Sequence, residues 1–140
     1  MERNPLSKIR VISFGFKHGA PPSDANIVMD VRFVTNPYYD ETLRPLTGQD
    51  APVQEFLRSQ PETHEALAAL RLLLSTAVPN YVRNASRYVD TFTIALGCTG
   101  GKHRSRFFAE QVADMVRELT SSLGLATEVV LEHRDQGKDD

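Results

Sequence analysis

The sequence holds a single cysteine, Cys98, among 140 residues. One thiol cannot close an intramolecular disulfide or furnish a thiolate metal cluster, and it suits a reducing compartment. Long apolar runs are absent too. None approaches the roughly 20 residues that cross a bilayer, and Met1-Glu2-Arg3-Asn4-Pro5 lacks the apolar stretch of a signal peptide. A cytoplasmic protein without a membrane partner is the simplest reading. There is no excess of one charge: 16 Lys and Arg face 18 Asp and Glu, a formal net charge of −2. No global basic field is available for nucleic acid, so any anion site must be local.

What is present is ordinary globular composition, with 41% hydrophobic and 24% charged residues, which argues against disorder. The length fits one domain over 1–140, with a core of about 9–134. The polar tail 135–140 is expected to be flexible. No internal repeat is visible.

Ile9 to Phe14 alternates apolar and polar residues and reads as a strand, and Ile27 to Val31 as a short buried one. Thr35 to Asp50, with Asn36-Pro37, Arg44-Pro45 and Thr47-Gly48, reads as a long irregular loop. Asp50 can cap a helix from Ala51 to about Ser59, and Pro61 breaks it or opens the next. Ala66, Leu67, Leu70, Leu73, Leu74 and Ala77 follow helical spacing as one apolar face, which Pro79 ends or bends. Thr91 to Gly97 is the best strand candidate. Phe108, Val112, Met115, Val116, Leu119 and Leu123 mark an amphipathic helix closed by Gly124, and Glu128 to Leu131 reads as a last strand. This order predicts an α/β fold. It is a small layered sheet of about four strands, partly parallel, with helices packed on it.

The chemistry concentrates at Gly97-Cys98-Thr99-Gly100-Gly101-Lys102-His103-Arg104-Ser105, between the third strand and its helix. Glycines let the backbone curl around a ligand. The helix start adds free N–H groups and partial positive charge. Lys102, His103 and Arg104 bring cationic side chains, Arg104 with a fork that can hold two phosphate oxygens. Thr99 and Ser105 add hydroxyls. The combination points to a phosphate-binding strand-loop-helix, although neither the Walker spacing nor a dinucleotide fingerprint is present. A plain solvated turn is the bland alternative. Cys98, five residues, then Arg104 and Ser105 also match the signature of cysteine-dependent phosphatases. There a thiolate attacks phosphorus within such a cradle, and Asp30 or Asp40 would be the proton donor. Cys98 as a small buried residue closing a strand is the competing reading.

Asp30 and Arg32 end the second strand and would lie near the loop if the pairing is parallel. Lys17 and His18 follow the first strand and can face the same place. No metal site and no cofactor are expected, since no second histidine or carboxylate stands near His18 at ligand spacing.

Four segments together resemble the C-terminal domain of the RNase adaptor family, RapZ-like or YvcJ-like proteins. They are Ser13-Phe14-Gly15-Phe16-Lys17, Asp30-Val31-Arg32-Phe33 with Asn36-Pro37, Leu43 to Gly48, and Gly97 to Ser105. The resemblance covers about 9–134. It implies a sensor site for glucosamine-6-phosphate or a similar phosphorylated amino sugar, with Asp30, Cys98, Thr99, Gly100, His103 and Arg104 as ligand-binding positions. It also implies small regulatory RNAs and a ribonuclease as partners, and an N-terminal nucleotide-binding domain that this sequence does not include. Tyr38 stands where a histidine is common in the family. The terminal Asp139-Asp140 stands where RNA-binding members carry basic residues, which speaks against RNA. Homo-oligomerisation is left open.

Overall fold

A computed structural model describes residues 6–85 and 88–138. The strands are β1 (Lys8–Gly15), β2 (Ile27–Asp30), β3 (Thr91–Cys98) and β4 (Glu128–His133). The helices are α1 (Ala51–Arg58), α2 (Pro61–Asn80) and α3 (Arg104–Ser122). The four strands form one sheet in the order β2-β3-β1-β4, and every pairing in it is parallel. The expectation of partial parallel pairing thus extends to the whole sheet. Each connection returns to the same end, so all four strands run the same way and all four carboxyl ends share one edge.

The central strands β1 and β3 are apolar on both faces. Ile9, Val11, Phe92, Ile94, Leu96 and Cys98 enter the main core with the helices. Ile12, Phe14 and Ala95 form a smaller cluster with Phe16 and Ala25. Helix α3 packs across β1, β3 and β4 and contacts α2. Phe108, Val112, Met115 and Val116 are buried on its inner face, as their spacing predicts, and Leu123 at its end is exposed. Gly124 follows with φ +66, the left-handed conformation that closes a helix.

Helix α2 differs in detail from its sequence pattern. Ala66, Leu70, Leu74 and Val78 are buried, whereas Leu73 is 45% exposed. The buried residues repeat every four positions, so the buried stripe centres on the Leu70–Leu74 line and Leu73, about a 100° step away, falls at its edge. Pro79 stays inside α2. Its missing N–H ends the regular ladder, and Tyr81–Ala85 continues as a π turn. Pro61 opens α2 at its first position. Asp50 stands at the N-cap position of α1, as expected, but its side chain makes no capping hydrogen bond. Its carboxylate instead accepts from the Thr47 N–H at 2.8 Å. The irregular stretch 35–50 contains one 3-10 turn, Pro37–Tyr39, capped by the Asn36 side chain.

The C-terminal segment departs from the expected flexible tail. Asp135 is 1% exposed and is hydrogen-bonded to the end of β1. Residues 139 and 140 lie outside the described residues. At the other end, Leu6 is fully buried, so the core begins before residue 9.

Candidate functional site

Gly15 and Cys98, the last residues of β1 and β3, stand opposite each other in the sheet. The pairing runs on past the strands, with the Lys17 N–H donating to the Thr99 carbonyl at 3.1 Å. Beyond this point the chain 99–103 curls over the end of β1. A Cβ on Gly15 would lie 2.5 Å from the Gly100 carbonyl carbon, and one on Gly101 would lie 2.7 Å from the Gly15 nitrogen. Gly101 also has φ +73. Glycine is therefore required on both sides of this contact, by space at Gly15 and by space and backbone conformation at Gly101.

The cations that follow are partly spent on the protein itself. The Lys102 ammonium donates to the Arg44 carbonyl at 2.9 Å, and the Lys102 carbonyl accepts from the Gly48 N–H at 2.9 Å. Gly48 packs directly on the first turn of α3. Arg106 donates through Nε to the Gly101 carbonyl at 2.9 Å. Arg104, 4% exposed, donates through Nη1 to the carbonyls of Arg32 and Val34, each at 2.9 Å. Loop 31–50 is in this way strapped onto the glycine loop by donors from 102–104.

The Arg104 fork is only half occupied. Its Nε is shielded from solvent and has no hydrogen-bond acceptor among the described residues. Burial disfavours the guanidinium charge, and neighbouring Cys98 and Asp30 partly restore it. A buried donor without an acceptor is costly, and an anion's oxygen would relieve that cost.

A cavity of about 250 Å³ opens at this edge of the sheet, lined by Lys17, Asn36, Tyr38, Tyr39, Cys98, Thr99, Gly100, Lys102, His103 and Arg104. Seven of these ten come from residues singled out in the sequence: Tyr38, Cys98, Thr99, Gly100, Lys102, His103 and Arg104. Lys17 follows from its place after β1. Asn36 and Tyr39 were not foreseen as lining residues; Asn36 was signalled by the Asn36-Pro37 pair of the resemblance, and Tyr39 by its position beside Tyr38. Gly101 and Ser105 are buried behind the lining.

Cys98 is 3% exposed, and its Sγ lies 3.2 Å from the Ser105 Oγ. Asp30 and Arg32 pair with each other at 2.6 Å, and Arg32 stacks over Phe16 at 4.0 Å. The Arg32 hydrogen bonds hold the Asp30 carboxyl below its usual range. Neither side chain lines the cavity, and Arg32 meets the site through its carbonyl. Asp40 is turned to Thr42. The His18 Nε2 is buried without a hydrogen-bond partner among the described residues. Among the described residues no group of three or more His, Cys, Asp or Glu could hold a metal ion, and no helix is long and apolar enough to cross a membrane.

Fold and site together define a small parallel α/β domain with a glycine-rich strand-loop-helix and a cavity at the carboxyl edge of its sheet. The RapZ C-terminal domain family matches residues 7–137, and the chain belongs to that family. It is 41% identical over 138 residues to a nucleotide-binding protein of Acidothermus cellulolyticus, covering 99% of this chain and 43% of that protein. A nucleotide-binding protein of Mycobacterium leprae is 46% identical with the same coverage. One of Shewanella denitrificans is 50% identical over 105 residues, 75% of this chain and 36% of the relative. The chain thus spans roughly two fifths of the length of these relatives.

Proposed function

We propose that this domain is a sensor that binds a phosphorylated sugar of the glucosamine-6-phosphate type and does not transform it. The observation that carries the reading is the half-filled Arg104 fork beside a glycine loop, in a cavity that also presents Lys17, Lys102 and His103. A phosphoryl group supplies the missing acceptor and meets several donors at once. About 250 Å³ lies below the usual ~300–1,000 Å³ of drug-sized pockets, which suits a small metabolite. Tyr38 and Tyr39 give one side of the cavity amphipathic rings, suited to a sugar with an apolar face and polar edges. The family membership supports a regulatory role. The amino-sugar identity rests on the family resemblance.

Calorimetry with glucosamine-6-phosphate, glucosamine and inorganic phosphate tests this. Saturable heat with the sugar phosphate, and much weaker heat with the other two, is expected. No heat from any phosphorylated sugar at millimolar concentration rejects the reading.

The phosphatase reading keeps one supporting observation: Cys98, Ser105 and Arg104 stand together at the loop. It is the weaker one because, among the described residues, no Asp or Glu lines the cavity to protonate a leaving group. Turnover of a chromogenic phosphate ester that disappears in Cys98→Ser would establish it. RNA is the less supported partner, given the net charge of −2; a salt-dependent gel shift of structured RNA would reverse that order.

A further inference from the structure

The carboxyl edge of the sheet carries a buried acid, Asp135, outside the cavity lining. Asp135, 1% exposed, accepts a 2.6 Å hydrogen bond from the Gly15 N–H through Oδ2. It also accepts from Arg134 at 3.1 Å and from Lys138 at 2.9 Å. Arg134 donates to the carbonyls of Gly15, Gly19 and Ala20 and lies over the Phe14 ring at 5.1 Å. Residues 134 and 135 therefore grip the turn that leaves β1. The same turn meets the glycine loop, because Gly15 approaches Gly100 and Gly101 at a distance that admits no side chain. The Lys17 N–H continues the contact by binding Thr99.

We propose that Asp135 is a positioning residue for the anion site, acting through Gly15 to set the height of the Gly100-Gly101 peptide. The three layers are the carboxylate, the Gly15 backbone and the glycine loop. Moving the first moves the last, since close-packed backbone has no slack to absorb a shift. Gly15 is at the end of its strand, where the ladder no longer fixes it from both sides, and a charged acceptor makes a stronger tether there than a neutral one. Burial pushes the Asp135 carboxyl up, but the bonds from Arg134, Gly15 and Lys138 outweigh it and hold it at about 2, below the ordinary 3.8. It stays ionised and in place across the physiological range. An apparently loose polar tail is in this way part of the site's foundation.

The inference rests on the binding proposal for its affinity readout, and a second readout is independent of it. Asp135→Ala and Asp135→Asn are compared with Arg10→Gln, which breaks the Arg10–Glu132 pair between β1 and β4 away from the loop. Amide spectra of ligand-free protein are recorded together with melting and titration with glucosamine-6-phosphate. In Asp135→Ala the Thr99, Gly100 and Gly101 amides shift, and affinity falls about tenfold or more. Asp135→Asn, which keeps an acceptor for Gly15, recovers part of both. Arg10→Gln lowers the melting temperature with the loop amides and affinity unchanged. Unmoved loop amides in both Asp135 variants would overturn the proposal, as would loop shifts of equal size in Arg10→Gln. If Asp135→Ala does not fold, the Asn variant decides by the same amides. If wild type binds no sugar phosphate, the binding proposal fails alone and the amide comparison still decides this one.

Discussion

Arg104 and Val34 are joined by a hydrogen bond from Nη1 to the backbone carbonyl at 2.9 Å, 70 residues apart in sequence. The first residue of α3 thereby holds the turn after β2, and a side chain readable as a phosphate clamp turns out also to be a strut. Nη1 serves the fold through Val34 and Arg32, while Nε has no acceptor among the described residues.

Replacing this strut should cost both stability and affinity. Arg104→Lys keeps a charge but cannot bridge two carbonyls and offer a second donor edge. Denaturant unfolding should give a loss of ~1.5–3 kcal/mol, the range for hydrogen bonds to charged groups. Sugar-phosphate affinity should drop more than the neutral-pH charge alone explains. Wild-type stability with wild-type affinity would remove Arg104 from both roles.

Two glycines with similar backbone angles should respond differently to alanine. Gly101 has φ +73 and its Cβ would strike the Gly15 nitrogen, whereas Gly124 has φ +66 with open space around it. Gly124→Ala should cost only ~1 kcal/mol, the left-handed penalty, and leave binding intact. Gly101→Ala should cost clearly more and abolish binding. Equal losses in the two variants, read by urea melts and calorimetry, would mean that the contact with Gly15 is unimportant.

His133 makes stability depend on pH. Its Nδ1 meets the Ser13 Oγ at 2.6 Å and its Nε2 meets Glu110 at 3.3 Å. Burial depresses its pKa below 6.5, and the Glu110 hydrogen bond only partly offsets this. A group held neutral in the fold gives its full stabilisation above the unfolded pKa. That stabilisation is lost as pH falls through 6.5 towards the folded value, because the unfolded chain takes up the proton first. The melting temperature should therefore fall between about pH 7 and about pH 5, with a flatter profile in His133→Gln. An unchanged slope in that variant would assign the titration elsewhere.

Much of this molecule was legible from local pattern. Alternation in Ile9 to Phe14 and the β-rich run before Gly97 placed β1 and β3, because strand periodicity depends only on neighbouring residues. Glycines, hydroxyls and cations between Gly97 and Ser105 singled out, for the same reason, a loop that lines the cavity. Local pattern was less reliable where geometry chooses among near neighbours. It put Leu73 on the buried face of α2, and it made Asp50 a helix cap when its carboxylate serves Thr47.

Tertiary structure decided the rest. The fully parallel order β2-β3-β1-β4 brings Lys17, the tyrosines of loop 35–50 and the glycine loop around one cavity. No spacing in the chain encodes that meeting. The role of Asp135 was hidden most completely. In sequence it heads a polar tail, and only the parallel pairing of β4 with β1 delivers it beneath Gly15. The amino-acid sequence alone thus determined which segment combines glycines with cations, since backbone freedom and side-chain charge are local properties. Which cations remain free for a ligand, and what holds the cradle in place, depended on contacts between residues about 60 to 120 apart, which only the packed fold can specify.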